Sequence, residues 1–139
     1  DYQRAASSPE SVRHYDATIS HTDRFLESLS SLDNTFIIYV PDHGEVVNKG
    51  HGFVALVKQQ YDIPLVFIGN EGTIATVRNL LPRWESKVFK KFNTSNLDFV
   101  ISELMGYHYD EKVRSTAIED ADYIYNVDGK SYPIDALTK

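Results

Sequence analysis

Apolar and polar positions follow two periods along the chain. Val12, Tyr15, Ile19, Thr22, Leu26 and Leu29 recur at three- and four-residue steps, while Arg13, Asp16, Arg24 and Glu27 fall off that stripe. The spacing predicts one amphipathic helix reaching about Leu32. Ser8-Pro9-Glu10 supplies its start: a capping hydroxyl, a first-turn proline and an early acid. Asp33-Asn34 reads as a turn. Thr35-Phe36-Ile37-Ile38-Tyr39-Val40 is then β-branched and aromatic, and Pro41 and Gly44 break it. This predicts a buried strand over Phe36 to Val40, with Asp42 and His43 at its C-terminal end. A second apolar run, Ile63-Pro64-Leu65-Val66-Phe67-Ile68, stops at Gly69-Asn70-Glu71-Gly72. Two nearly continuous apolar runs predict a mostly parallel sheet covered by helices.

Asp42 to Gly52 holds three glycines and two histidines, a composition for a functional loop above a sheet. Phe53 to Tyr61 reads as either a short helix or irregular chain. From Thr73 to Phe92, Pro82 interrupts the pattern of Ile74, Val77, Leu80 and Leu81, and Lys87, Lys90 and Lys91 add local positive charge, so no element is assigned. Ser95-Asn96-Leu97-Asp98 resembles a capping box, and Leu97, Val100, Ile101, Leu104 and Met105 continue it as a core-facing helix ended by Gly106. Tyr123-Ile124-Tyr125 and Ser131-Tyr132-Pro133-Ile134 flank Asp128-Gly129, which predicts a C-terminal β-hairpin with a type I′ turn and Pro133 on an edge strand. The expected class is α/β. With no internal repeat, residues 1–139 are expected to form one unit.

Composition narrows the function classes. A length of 139 residues with 42% hydrophobic content can build a core. The net charge of −6, from 14 basic and 20 acidic residues without a long run of one sign, argues against a nucleic-acid partner. With no cysteine, disulfides, thiolate nucleophiles and cysteine-type zinc sites are excluded. No stretch approaches the roughly 20 apolar residues of a membrane helix, and none resembles a signal peptide. Asp1 is not an initiator and the one methionine is Met105. The chain is therefore expected to be a mature product, a cloned domain or a proteolytic piece.

The chemistry concentrates in Asp42-His43-Gly44-Glu45. A carboxylate beside an imidazole at the C-terminal end of a strand suits zinc or manganese and lies where open α/β sheets bind ligands. The competing reading is an Asx-turn at Asp42 with His43 packed as a neutral ring. His51 reads as a ligand, a donor to an anionic oxygen or an exposed loop residue. Glu45 reads as an acceptor orienting a metal-bound His43 or as a solvated acid. Two ligands leave a zinc site incomplete. His14 and His21 share a face of the first helix and read as solvated, and His108 reads as structural. Tyr15, Asp16 and Asp23 read as helix-face residues or as support for the Asp42 loop. No nucleophile elbow, phosphate loop, dinucleotide fingerprint or His-Glu-x-x-His motif occurs.

The order Tyr15-Asp16-Ala17-Thr18-Ile19, Thr22-Asp23, an apolar strand, Asp42-His43-Gly44-Glu45, His51-Gly52 and Asp62-Ile63-Pro64-Leu65 resembles the C-terminal half of the catalytic domain of bacterial phosphoethanolamine transferases. These belong to the alkaline phosphatase and sulfatase superfamily. The resemblance covers Val12 to Ile68 and, loosely, Asn93 to Gly106. It implies that Asp42 and His43 bind a catalytic zinc (one or two ions, in preference to manganese) and that His51 faces the phosphate or a second metal. It further implies a phosphatidylethanolamine donor, a lipopolysaccharide acceptor (lipid A or core sugar) and a parent protein at the periplasmic face of the bacterial inner membrane. The phosphorylated threonine and a further acidic ligand belong to an N-terminal half outside this chain, so these residues alone are expected to be inactive. The alternatives are a sulfatase or phosphodiester hydrolase of the same superfamily and a non-catalytic domain binding the cell envelope.

Overall fold

A computed structural model describes residues 9–47, 49–87 and 90–138. Among these residues the chain forms four α-helices and two small antiparallel sheets of two strands each. It divides into two compact units, Asp1–Gly69 with Thr138–Lys139, and Asn70–Leu137. No helix among the described residues is long and apolar enough to cross a membrane.

The first unit begins with α1, Pro9–Ser30, which ends two residues before the expected Leu32. Ser8, expected to cap it, lies outside the described residues. Val12, Thr22, Leu26 and Leu29 of the predicted stripe are half-buried, whereas Tyr15 and Ile19 are exposed. Asn34 turns the chain with a positive φ of 53°. Strands β1, Ile37–Tyr39, and β2, Val66–Ile68, then pair with Ile37 opposite Ile68 and Tyr39 opposite Val66. They run antiparallel, which corrects the mostly parallel sheet expected from the two apolar runs. Parallel pairing needs a crossover of a dozen or more residues, usually a helix. Between these strands the described residues form loop and one 3-10 turn, Lys58–Gln60. All six strand residues are half-buried, so the apolar runs do not mark strands covered on both faces. Phe36 stacks on Phe67, with centroids 5.9 Å apart, as a diagonal cross-strand pair.

One residue closes the loop after β1. Gln60 is buried, and its carbonyl accepts the Gly44 N–H at 2.8 Å. Its side-chain oxygen accepts from the Gly52 and Phe53 N–H groups at 3.0 and 3.3 Å, while its amide donates to the Phe53 and Ala55 carbonyls at 3.4 and 2.8 Å. Gly44 must be glycine here, because a Cβ would stand 1.9 Å from the Gln59 carbonyl oxygen. Lys58 and Thr138 add a parallel bridge between Val57 and Thr138, with N–H to carbonyl distances of 2.8 and 2.7 Å. Val57 and Gln60 are the buried residues among those described in this unit.

The second unit has the larger core. Asn70 caps α2, Glu71–Trp84, by accepting from the Thr73 N–H and hydroxyl, each at 2.9 Å. The helix runs through Pro82, which falls two residues before its end, so the donor lost to the ladder lies in the last turn and few residues follow it. A 3-10 turn, Thr94–Asn96, leads into α3, Leu97–Leu104, and Asn93 caps that turn in place of the expected Ser95 box. Gly106 ends α3 as expected: its N–H reaches the Glu103 carbonyl at 3.0 Å, and the Tyr107 N–H reaches Ser102 at 2.9 Å. Val100 is buried, and Leu97 and Leu104 are half-buried. Ile101 and Met105, expected in the core, are exposed, Met105 by 69%. Glu103 holds a buried place on the helix instead, 3.5 Å from Arg83.

Helix α4, Glu111–Asp120, follows an Asp110 cap that accepts the Val113 N–H at 2.9 Å. Trp84, Val100 and Ile118 form the core, with Leu81, Phe92, Phe99, Leu104 and Ala117 packed on them. Trp84 stacks on Phe99 at 4.7 Å, and Tyr109 meets both rings edge-on. The buried Asn96 donates to the Trp84 carbonyl at 2.9 Å, tying the start of α3 to the end of α2.

Strands β3, Tyr123–Tyr125, and β4, Ser131–Pro133, form the expected hairpin. Its turn differs from the expected type I′: Gly129 takes φ 75° and donates to the Asn126 carbonyl at 2.9 Å, while Asp128 does not adopt positive φ. That is the pattern of a longer loop with a glycine bulge. Asp128 accepts from the Tyr132 hydroxyl at 2.7 Å and the Lys130 N–H at 3.1 Å, which frees it from serving as a central type I′ residue.

Two outcomes follow. Gln60→Ala leaves two loop N–H groups without their acceptor, a cost of about 1–3 kcal/mol. Hydrogen exchange at Gly52 and Phe53 is expected to accelerate well ahead of exchange in α3, and unchanged protection would refute the role given to Gln60. For Asp128, the Tyr132 hydroxyl bond, followed by the Lys130 N–H and charge, lowers its pKa below the ordinary carboxylate value. A lowered folded pKa contributes stability above the ordinary value, and that stability disappears as pH falls through the folded one. Tyr132→Phe is therefore expected to raise the Asp128 titration midpoint, read by carboxyl NMR shifts, and to begin acid loss of the hairpin at higher pH.

Candidate functional site

Asp42 and His43 follow the C-terminal end of β1, as the apolar run and Pro41 predicted. The stretch beyond them folds back on itself. Val46 and Gly50 form an antiparallel bridge, with N–H to carbonyl distances of 3.1 and 3.0 Å in the two directions. The bridge sets Glu45 opposite His51, and the Glu45 Oε2 lies 2.7 Å from His51 Nδ1. The His43 ring stacks on His51 with centroids 3.6 Å apart and planes 29° apart. Gln60 reinforces this closure, since its carbonyl holds the residue after His43 and its side chain holds the residue after His51.

The result is a cluster of His43, Glu45 and His51 whose candidate ligand atoms all lie within 4.8 Å of one another. Two imidazoles and a carboxylate are a donor set suited to zinc and related divalent ions. The cluster is partly open, with side-chain exposures of 40% for His43, 31% for Glu45 and 48% for His51. Asp42 stands at its margin. Its side chain is 90% exposed, and its Oδ1 is 3.7 Å from His43 Nε2. Two ligand bonds of about 2.0–2.2 Å span such a gap, so the pair also fits a shared cation.

The sequence-predicted candidates thus separate. His43 and His51 come together, Asp42 adjoins His43, and Glu45 joins the group through His51 instead of through His43. The missed signal was the short return between Val46 and Gly50, which converts a six-residue separation into a cross-strand pair. His14, His21, Asp16 and Asp23 lie on exposed positions of α1, and His108 is exposed in the second unit.

A model of the sulfatase family matches residues 1–107, a span that includes the whole Asp42 to His51 loop. No curated protein and no solved structure matches the chain. The family match extends over more than half of the sequence, and the chain belongs to the sulfatase family.

Proposed function

We propose that this chain is the C-terminal portion of a single sulfatase-like catalytic domain in a zinc-dependent phosphoethanolamine transferase. The transferase would move phosphoethanolamine from phosphatidylethanolamine to lipopolysaccharide, at a lipid A or core-sugar position, on the periplasmic face of the bacterial inner membrane. The observation that carries this reading is the clustering of His43, Glu45 and His51 beside Asp42 within a sulfatase-family loop. Members of that family are typically metal-dependent enzymes. The Asp-His-Gly-Glu motif with its upstream Tyr15-Asp16 helix supports the transferase branch by resemblance.

In this reading Asp42 and His43 hold zinc, and an N-terminal half supplies the threonine nucleophile and the remaining ligand. Bound zinc would lower the pKa of the nucleophile and offset charge on the transferring phosphoryl oxygens. His51, its Nδ1 held by Glu45, takes a proton at Nε2 from an arriving oxygen and returns it to a departing one. The half-buried strands and the exposed part of the α1 stripe support the presence of further cover in the parent protein. The description of the matching family favours one rival, a sulfatase or phosphodiester hydrolase on the same scaffold.

The test is zinc content and donor-lipid turnover of the polypeptide extended to a full catalytic domain. About one or two zinc ions per chain are expected, lost together in Asp42→Asn/His43→Ala. His51→Ala is expected to lower transfer by about 10²–10⁴-fold, the range for a proton-transfer group. Release of sulfate or phosphodiester products without transfer would establish the hydrolase. Absence of zinc, with behaviour indifferent to Asp42→Asn, would establish a binding domain instead.

A further inference from the structure

We infer that Glu45 is a positioning residue for His51 and not a ligand of the metal: it fixes the imidazole ring and the tautomer that leaves Nε2 bare. The inference deepens the metal-site reading and rests on it only where zinc is concerned. Two ligand atoms on a tetrahedral zinc, each about 2.0–2.1 Å from the ion, stand about 3.3 Å apart. Glu45 Oε2 and His51 Nδ1 are 2.7 Å apart, a charge-assisted hydrogen-bond distance. An ionised carboxylate can only accept, so Nδ1 carries the proton and donates.

His43 obeys the same logic with a different acceptor. Its Nδ1 is 3.0 Å from the Gly44 carbonyl oxygen, which also can only accept, so its Nε2 is left with a lone pair. Both stacked rings are therefore set in one tautomer, His43 by the backbone and His51 by Glu45. Metal-binding and proton-transferring histidines are commonly oriented this way, by a partner on the nitrogen that does no chemistry. The two histidines then divide the work: the His43 Nε2 lies 3.7 Å from Asp42, and the His51 Nε2 is the atom that would meet substrate.

The partners of His51 also explain why a carboxylate stands at position 45. The Val46–Gly50 bridge makes residues 45 and 51 neighbours across the return, and a Cβ at position 50 would stand 3.8 Å from the second Glu45 oxygen. A shorter side chain would leave His51 with its stacking contact to His43 alone to orient it. Glutamine keeps an acceptor oxygen at the same reach and loses only the charge.

Nitrogen-15 NMR of the imidazoles in the zinc-free full chain, at about pH 8.5, decides the matter. His51 is expected as the Nδ1–H tautomer in the wild type and in Glu45→Gln, and as the mixture of an unconstrained ring in Glu45→Ala. A wild-type His51 protonated at Nε2, or a tautomer mixture identical to that of Glu45→Ala, would overturn the inference. Backbone amide spectra of Glu45→Gln establish that this variant retains the fold. Zinc loading gives the second reading: because neither Glu45 nor His51 is placed on the ion, Glu45→Gln is expected to keep the zinc content of wild type, and a loss equal to that of His43→Ala would make Glu45 a ligand and overturn the inference. If wild type takes no zinc, the metal reading falls, and the tautomer alone decides the role of Glu45.

Discussion

The closure of the loop after β1 on Gln60 is the constraint on which the site depends. His43 and His51 are eight positions apart in a polar, glycine-containing segment that by itself has many conformations, and ordering it costs entropy. Gln60 offsets that cost at both ends, with its carbonyl on Gly44 and its side-chain amide on Gly52, Phe53 and Ala55. Because its side chain is buried, each of these bonds stands in a place poorly served by water, where an unmade bond is costly. The absent side chain of Gly44 is part of the same device, since nothing larger fits against the Gln59 carbonyl.

Much of the site was legible in sequence because its signals are local. An apolar run broken by Pro41 put Asp42 and His43 at a strand end, Gly106 marked a helix stop, and Asp128-Gly129 marked a hairpin. What failed depended on longer-range packing. Strand direction is set by the connection, and loop and a 3-10 turn in place of a crossover helix gave antiparallel pairing. Pro82 suggested a break, yet Asn70 capping and the burial of Trp84 carried α2 past it. Helix α4 was overlooked although Asp110 and Val113 stand at capping distance in sequence. Met105 had the right spacing for the core but falls at the helix cap, where the chain turns away to solvent.

The electrostatic character of the cluster follows from its exposure. Buried charges need full pairing, whereas half-exposed groups keep part of their hydration and can exchange it for a ligand. His43, Glu45 and His51 occupy that middle range, and their mutual contacts preorganise them without enclosing them. Such an arrangement suits a site that must admit both an ion and a large anionic group.

The central claim is that the Gln60-held loop presents His43 as a ligand while Glu45 stays on His51. The most direct measurement is a crystal structure of zinc-loaded protein with anomalous scattering at the zinc edge. The account predicts a peak about 2.0–2.1 Å from His43 Nε2, beside Asp42, with the Glu45 to His51 hydrogen bond intact. A peak bonded to Glu45, or zinc found only away from His43, would contradict it.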